Sequence, residues 1–252
     1  MGKTINEIRN EFITADSAIR KELYNIYADD CRKGVKQVIA KFKQEDGKLL
    51  EELKRLDKMR VFEKKYAAYQ NIAGVDEAGR GPLAGPVVAG AVILPVDCEI
   101  LYLNDSKKLS AVKRERLFDE ITEKAVACGV GIVSAAKIDE INILQATYEA
   151  MRQAIADMGK KPGMILVDAV TIPKIPYKQT GIIKGDACSV SIAAASIIAK
   201  VTRDRIMADI DEMYPEYGFA SHKGYGSKAH IEAIKKYGAC PLHRKSFIKN
   251  FV

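Results

Sequence analysis

The sequence predicts an α/β protein with a mixed five-stranded sheet flanked by helices, a helical N-terminal extension and a helical C-terminal region. Three observations support this fold class. From residue 71 onward, short apolar runs rich in β-branched residues alternate with longer amphipathic segments, which is typical of strands and helices that share one core. Residues 1–70 are highly charged and carry apolar residues at helical spacing. Residues 213–252, which we assign to the domain 71–252, combine Gly-rich turns with a helical pattern.

The N-terminal extension, residues 1–70, is predicted to be a set of helices. Apolar residues recur at helical spacing in two stretches: Ile5, Ile8, Phe12 and Ile19, and then Val35, Val38, Ile39 and Phe42. Polar segments at 14–17 and 45–47 predict breaks, so a third helix would run from about Lys48 to Tyr69. The extension holds 16 basic and 12 acidic residues. It is therefore either a small helical bundle or a basic module that binds the substrate.

Five short apolar runs are the predicted strands of the sheet. The first two, Ile72–Val75 and Pro86–Leu94, are joined by a Gly-rich turn, so a hairpin is the simplest connection. The other three are predicted at 129–135, 164–168 and 181–184. Helices are predicted at 110–127 with Ser110 as the N-cap, at 138–158 with a break near Asn142, at 189–213 and at 227–237.

The bulk properties restrict the class of protein. A chain of 252 residues is long enough for one full core and an additional module. The net charge of +7 suits a polyanionic partner. The five cysteines are widely spaced and include no C-x-x-C pair, which argues against a disulfide framework or a zinc site. No apolar run is long enough for a signal peptide or a membrane span, so we expect a cytoplasmic protein, and we expect a monomer.

Four carboxylates are the candidate catalytic and metal-binding residues: Asp76, Glu77, Asp168 and Asp186. The first three lie at the ends of apolar strands, and the fourth precedes a long Ala- and Ile-rich helix. Acids at such positions can converge on one edge of a sheet. Their repulsion would then require cations, and oxygen ligands suit Mg²⁺ or Mn²⁺. Two such ions about 4 Å apart can activate water and stabilise the leaving oxygen in phosphodiester hydrolysis.

The same acids have ordinary interpretations. Asp76 and Glu77 could be turn residues, and Asp186 could simply be the N-cap of its helix. Spacing along the chain does not show that the four converge. On the residues alone, a cation site and a set of unrelated surface acids both remain open.

Five sequence blocks resemble those of bacterial ribonuclease HII and follow the family's order. They are Gly74–Pro86 (GVDEAGRGPLAGP), Asn104–Ser110 (NDSKKLS), Leu166–Asp168, Gly185-Asp186 with Ser191–Asp204, and Tyr217–Gly226 (YGFASHKGYG). The resemblance implies a ribonuclease H-like fold and an endoribonuclease that hydrolyses the RNA strand of RNA–DNA hybrids. It also implies cleavage at single ribonucleotides embedded in duplex DNA, 5′-phosphate products, and a role in removing ribonucleotides and RNA primers. The four acids fall on the family's catalytic positions.

The resemblance also places a ribonucleotide-sensing turn on Gly79, Arg80 and Gly81, with Tyr225 as its partner. The 2′-hydroxyl is the only feature that marks a lone ribose in DNA, and a Gly-Arg-Gly turn lets the main chain approach it closely. Further candidate substrate contacts lie in or near the matched blocks: Ser106, Lys107, Lys184, Lys200, Arg203, His222, Lys223 and Lys228. Lys107 is the strongest of these because it lies in a polar loop, whereas His222 and Tyr225 could instead be structural.

Other functions remain as alternatives. Ribonuclease HIII shares the acidic opening, but its turn differs and its fourth acid is Glu, so Arg80 and Asp186 favour HII. A non-catalytic hybrid-binding protein would have lost some of the acids, and a less selective metal nuclease would not need the Gly79–Gly81 turn. The resemblance leaves the role of the extension open. A sliding-clamp peptide within Ser246–Val252 rests only on two aromatic residues in a basic tail.

Overall fold

The computed structural model describes residues 2–250 and divides into two compact units, with the boundary between Arg55 and Leu56. The strands are β1 (Ile72–Ala78), β2 (Val87–Ile93), β3 (Ala127–Val133), β4 (Met164–Asp168) and β5 (Gln179–Ile182). The helices are α1 (Ile5–Thr14), α2 (Ser17–Ile26), α3 (Lys33–Met59), α4 (Val61–Lys65), α5 (Ala111–Lys124), α6 (Ala135–Asp157), α7 (Gly185–Cys188), α8 (Val190–Met213), α9 (Phe219–His222), α10 (Lys228–Tyr237) and α11 (Lys245–Ile248).

The first unit is a small helical bundle with its own core. Of the residues at the predicted helical spacing, five are buried (Ile8, Phe12, Val35, Val38 and Phe42), Ile5 and Ile39 are partly buried, and Ile19 is 47% exposed. Leu23 joins this core. Phe12 and Phe42 stack with ring centroids 5.2 Å apart. Thr4 and Glu7 form a capping box at the start of α1. The predicted break at 14–17 is confirmed, since α1 ends at Thr14 and Asp16 caps α2.

The predicted break at 45–47, and with it a separate helix from Lys48 to Tyr69, is wrong. α3 runs without interruption from Lys33 to Met59. Gly47 lies in its exposed interior, where glycine costs only about 1 kcal/mol relative to alanine. Asp46 is not a loop residue, because its carboxylate accepts hydrogen bonds from Arg20 and from the Tyr24 hydroxyl, each at 2.7 Å. A long helix with such anchors tolerates one glycine.

The second unit contains the five-stranded sheet, in the order β3-β2-β1-β4-β5. β1 and β2 form the predicted hairpin and pair antiparallel, as do β2 and β3. β4 pairs parallel with β1 and with β5, so the sheet is mixed. This topology puts β1 at the centre of the sheet, between a hairpin partner and a parallel partner. The C-terminal ends of β1 and β4 consequently lie at the same edge.

Helices cover both faces of the sheet. One core is formed by α6 with β1, β2 and β4, and the other by α5 and α8 against the opposite face. α8 approaches the sheet very closely: a Cβ on Gly74 would lie 2.0 Å from the Ser191 carbonyl carbon, and one on Gly90 would lie 2.4 Å from the Ala195 oxygen. The Ala-rich start of α8 therefore packs tightly on the sheet, as its composition predicts.

Several local predictions within this unit are confirmed. Ser110 caps α5, and the break in α6 falls at Asn142, whose φ is 66°. β5 begins and ends two residues earlier than predicted, at Gln179 and Ile182. The long helix α8 begins at Val190 with Ser189 as its N-cap, so Asp186 does not cap it.

Within residues 2–250, no helix has the length and apolar character needed to cross a membrane.

Residues 56–70 belong to the second unit, so the structural boundary precedes residue 70. Leu56 and Met59 are part of the core under α5 and α8. Phe62, Tyr66 and Tyr69 pack against the β4 side of the sheet. The Glu63 carboxylate accepts hydrogen bonds from the Ser189 hydroxyl at 2.5 Å and the Ser191 N–H at 3.0 Å, which fixes α4 to the start of α8.

Candidate active site

The predicted acids lie together at one edge of the sheet. Asp76 and Glu77 are close to the end of β1, and Asp168 ends β4. Val75 is paired with Val167 across the parallel strands, so Asp76 and Asp168 are the next residues along. Asp186 follows β5 in the short helix α7. The Gly185 N–H donates to Asp168 Oδ1 at 2.7 Å, which ties the start of α7 to the end of β4.

Asp76 is the most buried of the four, at 5% exposure. Its Oδ1 accepts the Glu77 N–H at 2.7 Å, and its carboxylate also hydrogen-bonds to Ser196 on α8. The hydroxyl groups of Ser196 and Ser106 are 2.9 Å apart, so the serine next to Asp76 is itself held by a second serine. Burial, and then the charge of Glu77, raise the pKa of Asp76 well above its ordinary value.

The other acids share this excess of negative charge. Burial raises the pKa of Glu77, and Asp168 adds to that rise, whereas Arg80, with Nη1 3.4 Å from Glu77 Oε1, opposes it. Burial also raises the pKa of Asp186, followed by the charges of Asp105 and Asp168. Lys107 opposes the rise at both Glu77 and Asp186. The pKa values of Glu77 and Asp186 therefore stay raised despite the positive charges of Arg80 and Lys107.

A divalent cation fits this chemistry. The donor set consists of carboxylate oxygens, which suit Mg²⁺ and Mn²⁺, and burial followed by the neighbouring acid charges raises the pKa of Asp76 and of Asp186. Across residues 2–250, no three or more His, Cys, Asp or Glu side chains are already gathered into a metal cage. Asp76, Glu77, Asp168 and Asp186 are the residues that could hold ions here.

Asp105 is a fifth acid at this edge, and it is absent from the sequence-based set of site residues. After burial, its charge is the next largest cause of the raised pKa of Asp186, and its Oδ1 accepts the Lys107 N–H at 2.9 Å. It therefore adds to the negative charge of the cluster and holds the main chain at Lys107. The available signal was its place beside Lys107 in the second matched block, but a loop acid carries no strand-end pattern to distinguish it.

Two residues next to the acids adopt left-handed main-chain conformations. Ala169, directly after Asp168, has a φ of 56°, and Lys184, two residues before Asp186, has a φ of 57°. Non-glycine residues rarely adopt this region, and such strain concentrates at functional sites. The chain thus bends sharply after β4 and before α7, which directs both acids to the same edge.

The Gly79–Gly81 turn lies directly after the acids on β1. Gly79 has a φ of 91°, and a Cβ there would lie 2.1 Å from Arg203 Nε, so no other residue fits. A Cβ on Gly81 would lie 3.9 Å from the Tyr225 ring, which puts that tyrosine beside the turn. Tyr225 is 45% exposed. Since Arg80 also pairs with Glu77, the turn is linked to the acid cluster.

Several predicted substrate contacts are instead internal. Arg203 is 1% exposed, and within residues 2–250 its guanidinium donates to the carbonyls of Ala84, Pro86 and Lys223, which favours an internal role over the predicted phosphate contact. Ser106 is likewise buried and bonded to Ser196. Lys200 pairs with Asp204 at 2.6 Å. These residues hold the site together from within.

The remaining predicted contacts divide between engaged and exposed side chains. Lys223 donates through Nζ to the Asp204 carbonyl at 3.2 Å. Both ring nitrogens of His222 bond to the main chain, at Tyr217 and Gly224, which favours its structural role. Lys107, Lys184 and Lys228 are exposed. Of these, Lys107 and Lys184 lie in the loops that carry the acids, and they are the better candidates for contact with a polyanion.

Comparison with known families identifies the chain. The sequence profile of Ribonuclease HII matches residues 73–250, and that of the Ribonuclease HII N-terminal domain matches residues 4–67. The chain belongs to the ribonuclease HII family. The ribonuclease HII of Lachnoclostridium phytofermentans is 59% identical over 224 residues, which cover 89% of this chain and 88% of the relative. That of Acetivibrio thermocellus is 52% identical over 253 residues, which cover 99% and 98%.

Solved structures support the fold. The ribonuclease H2 of Pyrococcus horikoshii OT3 matches with a TM-score of 0.60 and 32% identity, over 71% of this chain and 96% of that one. The RNase HII in the PCNA:RNase HII complex from Archaeoglobus fulgidus matches with a TM-score of 0.58 and 28% identity, over the same shares. The predicted ribonuclease H-like fold is therefore confirmed. As a ribonuclease HII, the protein is an endoribonuclease that acts on RNA–DNA hybrids.

Proposed function

We propose that this ribonuclease HII cuts both RNA–DNA hybrids and single ribonucleotides embedded in duplex DNA, by a two-metal-ion mechanism that leaves 5′-phosphate ends. The observation that carries the proposal is the direct link between the acid cluster and the Gly79–Gly81 turn, through the Glu77–Arg80 pair. One group of residues can hold cations, and the adjacent group can recognise a sugar. We assign the catalytic role to Asp76, Glu77, Asp168 and Asp186.

The acids would hold two Mg²⁺ or Mn²⁺ ions once substrate is present. Bound ions supply Lewis-acid and charge stabilisation at the scissile phosphate. The chain's own contribution is orientation: Gly185 fixes Asp168, and Ser196 and the Glu77 N–H fix Asp76. Lys107 and Lys184, both exposed, would bind phosphates on either side of the cut without regard to sequence.

The Gly79–Gly81 turn and Tyr225 would read the ribose. The positive φ of Gly79 brings the main chain close to the sugar, and the Tyr225 ring beside Gly81 offers an exposed face and a hydroxyl. The face can pack on the neighbouring deoxyribose, and the hydroxyl can bond to the 2′-hydroxyl, which is both donor and acceptor. A duplex that contains only DNA lacks that group.

Replacing Tyr225 with alanine is expected to reduce kcat/KM on a DNA duplex with one ribonucleotide by about ten- to a hundredfold, because it removes both the ring packing and the hydrogen bond to the 2′-hydroxyl, each on the order of 1 kcal/mol. Tyr225→Phe should lose less, since the ring remains. Tyr237→Ala is the matched control, because that tyrosine is similarly exposed (51%) on α10. Cleavage is measured with Mg²⁺ and with Mn²⁺ on this duplex and on an all-DNA duplex. Equal rates on both duplexes would favour the less selective metal nuclease.

We further propose that the N-terminal extension is a substrate-binding module. Its helices enclose a groove of about 580 Å³ with Val38 and Phe42 among its lining residues. Arg9, Arg20 and Lys41 also line it, together with Glu45. Arg20 lies against the Phe42 ring and is paired with Asp46, whereas Arg9 and Lys41 are exposed, with Lys41 Nζ 3.8 Å from Glu45 Oε1. The exposed basic side chains of Arg9 and Lys41 beside the groove are available to a phosphate backbone.

Lys41→Glu is expected to weaken binding of an RNA–DNA hybrid several-fold and to lower the slope of log affinity against log salt by about one. Lys36→Glu is the matched control: the charge change is the same and on the same helix, but Lys36 does not line the groove. Fluorescence anisotropy across a salt series measures both quantities. If the two variants bind alike, the groove does not contact the substrate.

A sliding-clamp contact is also proposed, since the Archaeoglobus fulgidus relative was solved with PCNA. The C-terminal segment that is available for such a contact is shorter than the stretch Ser246–Val252 that the sequence indicates. Ser246 is bonded to Asp139, Phe247 packs against the core, and Ile248 is 1% exposed, so these three are not available. Phe251 and Val252 lie outside the described residues. Any contact through this tail is thus confined to the residues after Ile248.

A further inference from the structure

The loop from Gly79 to Pro86, which carries the turn, is held from within by two buried arginines. Arg203 on α8 is 1% exposed, and Arg244, directly before α11, is 0% exposed. Every hydrogen bond that the two guanidinium groups make within residues 2–250 goes to a main-chain carbonyl. Two buried cations therefore hold this loop in place.

Arg244 holds the part of the loop that the proposed function uses. Its Nη2 donates to the Gly79 carbonyl at 2.6 Å, and its Nη1 donates to the Arg80 carbonyl at 2.8 Å. Its Nε and Nη2 also donate to the Gly85 carbonyl, at 3.0 and 2.9 Å. One planar group therefore fixes two successive peptides of the turn and the far end of the loop. In the described part of the chain, the Arg203 guanidinium instead donates to carbonyls outside the turn, those of Ala84, Pro86 and Lys223.

Such an arrangement is costly, because a buried charge loses its hydration. Burial lowers the pKa of Arg244 to about 9, so it is still charged at neutral pH. Charge-assisted bonds to several carbonyls compensate for the lost hydration. A neutral loop could be closed by ordinary main-chain bonds, as Leu83 and Gly224 do at 2.8 Å. The planar guanidinium of Arg244 also holds several carbonyls in one fixed arrangement, which makes the loop more rigid.

Arg244 is itself anchored at both sides. Its N–H donates to the Leu83 carbonyl at 2.8 Å. Asp139 on α6 accepts the N–H groups of Lys245 and Ser246, at 2.7 and 2.9 Å, and so fixes the chain directly after it. Asp139 is half-buried and lies outside the two main cores, so it can be changed with little damage to them.

We propose that Arg244 is a positioning residue for ribose recognition: it sets the Gly79 and Arg80 peptides at the distance from the acids that a single ribose requires. The inference rests on the proposed sugar-reading role of the turn. A hybrid presents a 2′-hydroxyl on every nucleotide of its RNA strand, so other hydroxyl contacts remain when the turn is displaced. A lone ribonucleotide has one 2′-hydroxyl, so a displaced turn reduces its cleavage more.

The test is the ratio of kcat/KM on a single-ribonucleotide duplex to kcat/KM on an RNA–DNA hybrid of equal length. In Arg244→Lys, which keeps the charge but not the fork, this ratio should fall about tenfold, since misplacement near 1 Å is costly. Asp139→Ala should shift it in the same direction, by less. Leu117→Ala, a truncation in the core between α5 and α8, should lower thermal stability and leave the ratio unchanged.

The outcomes separate the inference from the proposed function. If the unaltered protein cuts an all-DNA duplex as fast as one with a single ribose, the proposed function fails. If it does discriminate, but Arg244→Lys and Asp139→Ala keep the normal ratio, Arg244 is merely structural and the inference is overturned. Should Arg244→Lys not fold, Asp139→Ala alone decides. A ratio that falls equally in Leu117→Ala would also overturn it.

Discussion

Asp76→Asn is expected to abolish hydrolysis of RNA–DNA hybrids while the hybrid still binds. Asparagine keeps the shape of the side chain and removes the charge that would hold a cation. Loss of several kcal/mol of transition-state stabilisation corresponds to about a thousandfold or more in kcat. The fold should survive, because Asp76 is a buried acid whose raised pKa marks its charge as unfavourable without a cation. Single-turnover cleavage and anisotropy measure the two properties separately.

Two comparisons make this prediction specific. Asp168→Asn, at the end of β4, should have the same effect, because the two acids occupy neighbouring positions on paired strands. Asp119→Asn, an exposed carboxylate on α5, should leave turnover unchanged. Retained turnover in both Asp76→Asn and Asp168→Asn would show that the catalytic site lies elsewhere. Loss of turnover in Asp119→Asn would point to a nonspecific effect of charge.

The second large effect concerns stability without metal. The pKa values of Asp76, Glu77 and Asp186 are raised in the fold, so these groups favour folding only while they are protonated. Their contribution is complete below about pH 4, where the unfolded chain is also protonated, and is lost as the pH rises through the raised values. In EDTA, the free energy of unfolding from these groups should therefore fall with rising pH.

Mg²⁺ or Mn²⁺ should reverse this loss at pH 8. An ion present at a hundred times its dissociation constant stabilises the fold by about 2.7 kcal/mol. The rise in Tm should be smaller at acidic pH, where the acids are protonated, and smaller in Asp76→Asn. KCl at matched ionic strength controls for screening. Identical melting curves in EDTA and in Mn²⁺ at pH 8 would contradict a cation site at this edge.

The sequence predicts elements whose local signals agree with their packing. The runs Pro86–Leu94 and Met164–Asp168 become buried strands, and Ser110 begins its helix, because pattern and capping chemistry act over a few residues. Gly47 misleads for the opposite reason: its local signal is a break, but the anchored helix continues through it. Tertiary contacts, which no short window of sequence contains, decide such cases.

In the candidate site, too, local sequence signals predict some residues and tertiary contacts decide the others. Strand-end position identifies Asp76, Glu77 and Asp168, but only the parallel pairing of β1 with β4 makes them neighbours. Arg203 has the charge of a phosphate ligand, yet its burial makes it a loop support, and sequence does not reveal burial of a charged residue. Asp105 is missed because Asp186, whose pKa is raised by the charge of Asp105, is distant in the chain.

The helix α8 supports both the acid cluster and the loop from Gly79 to Pro86. Ser196, which bonds to Asp76, and Arg203, which supports the Gly79 loop, are seven residues apart on this helix, or about 10 Å. Helix geometry fixes that spacing, and the close approach of the helix to the sheet at Gly74 and Gly90 keeps α8 against the strands that carry the acids. The proposed sugar recognition and the proposed catalytic acid would thus depend on one rigid helix. Attempts to engineer a new nucleotide preference should expect epistasis between the two, and should vary the loops while leaving the helix intact.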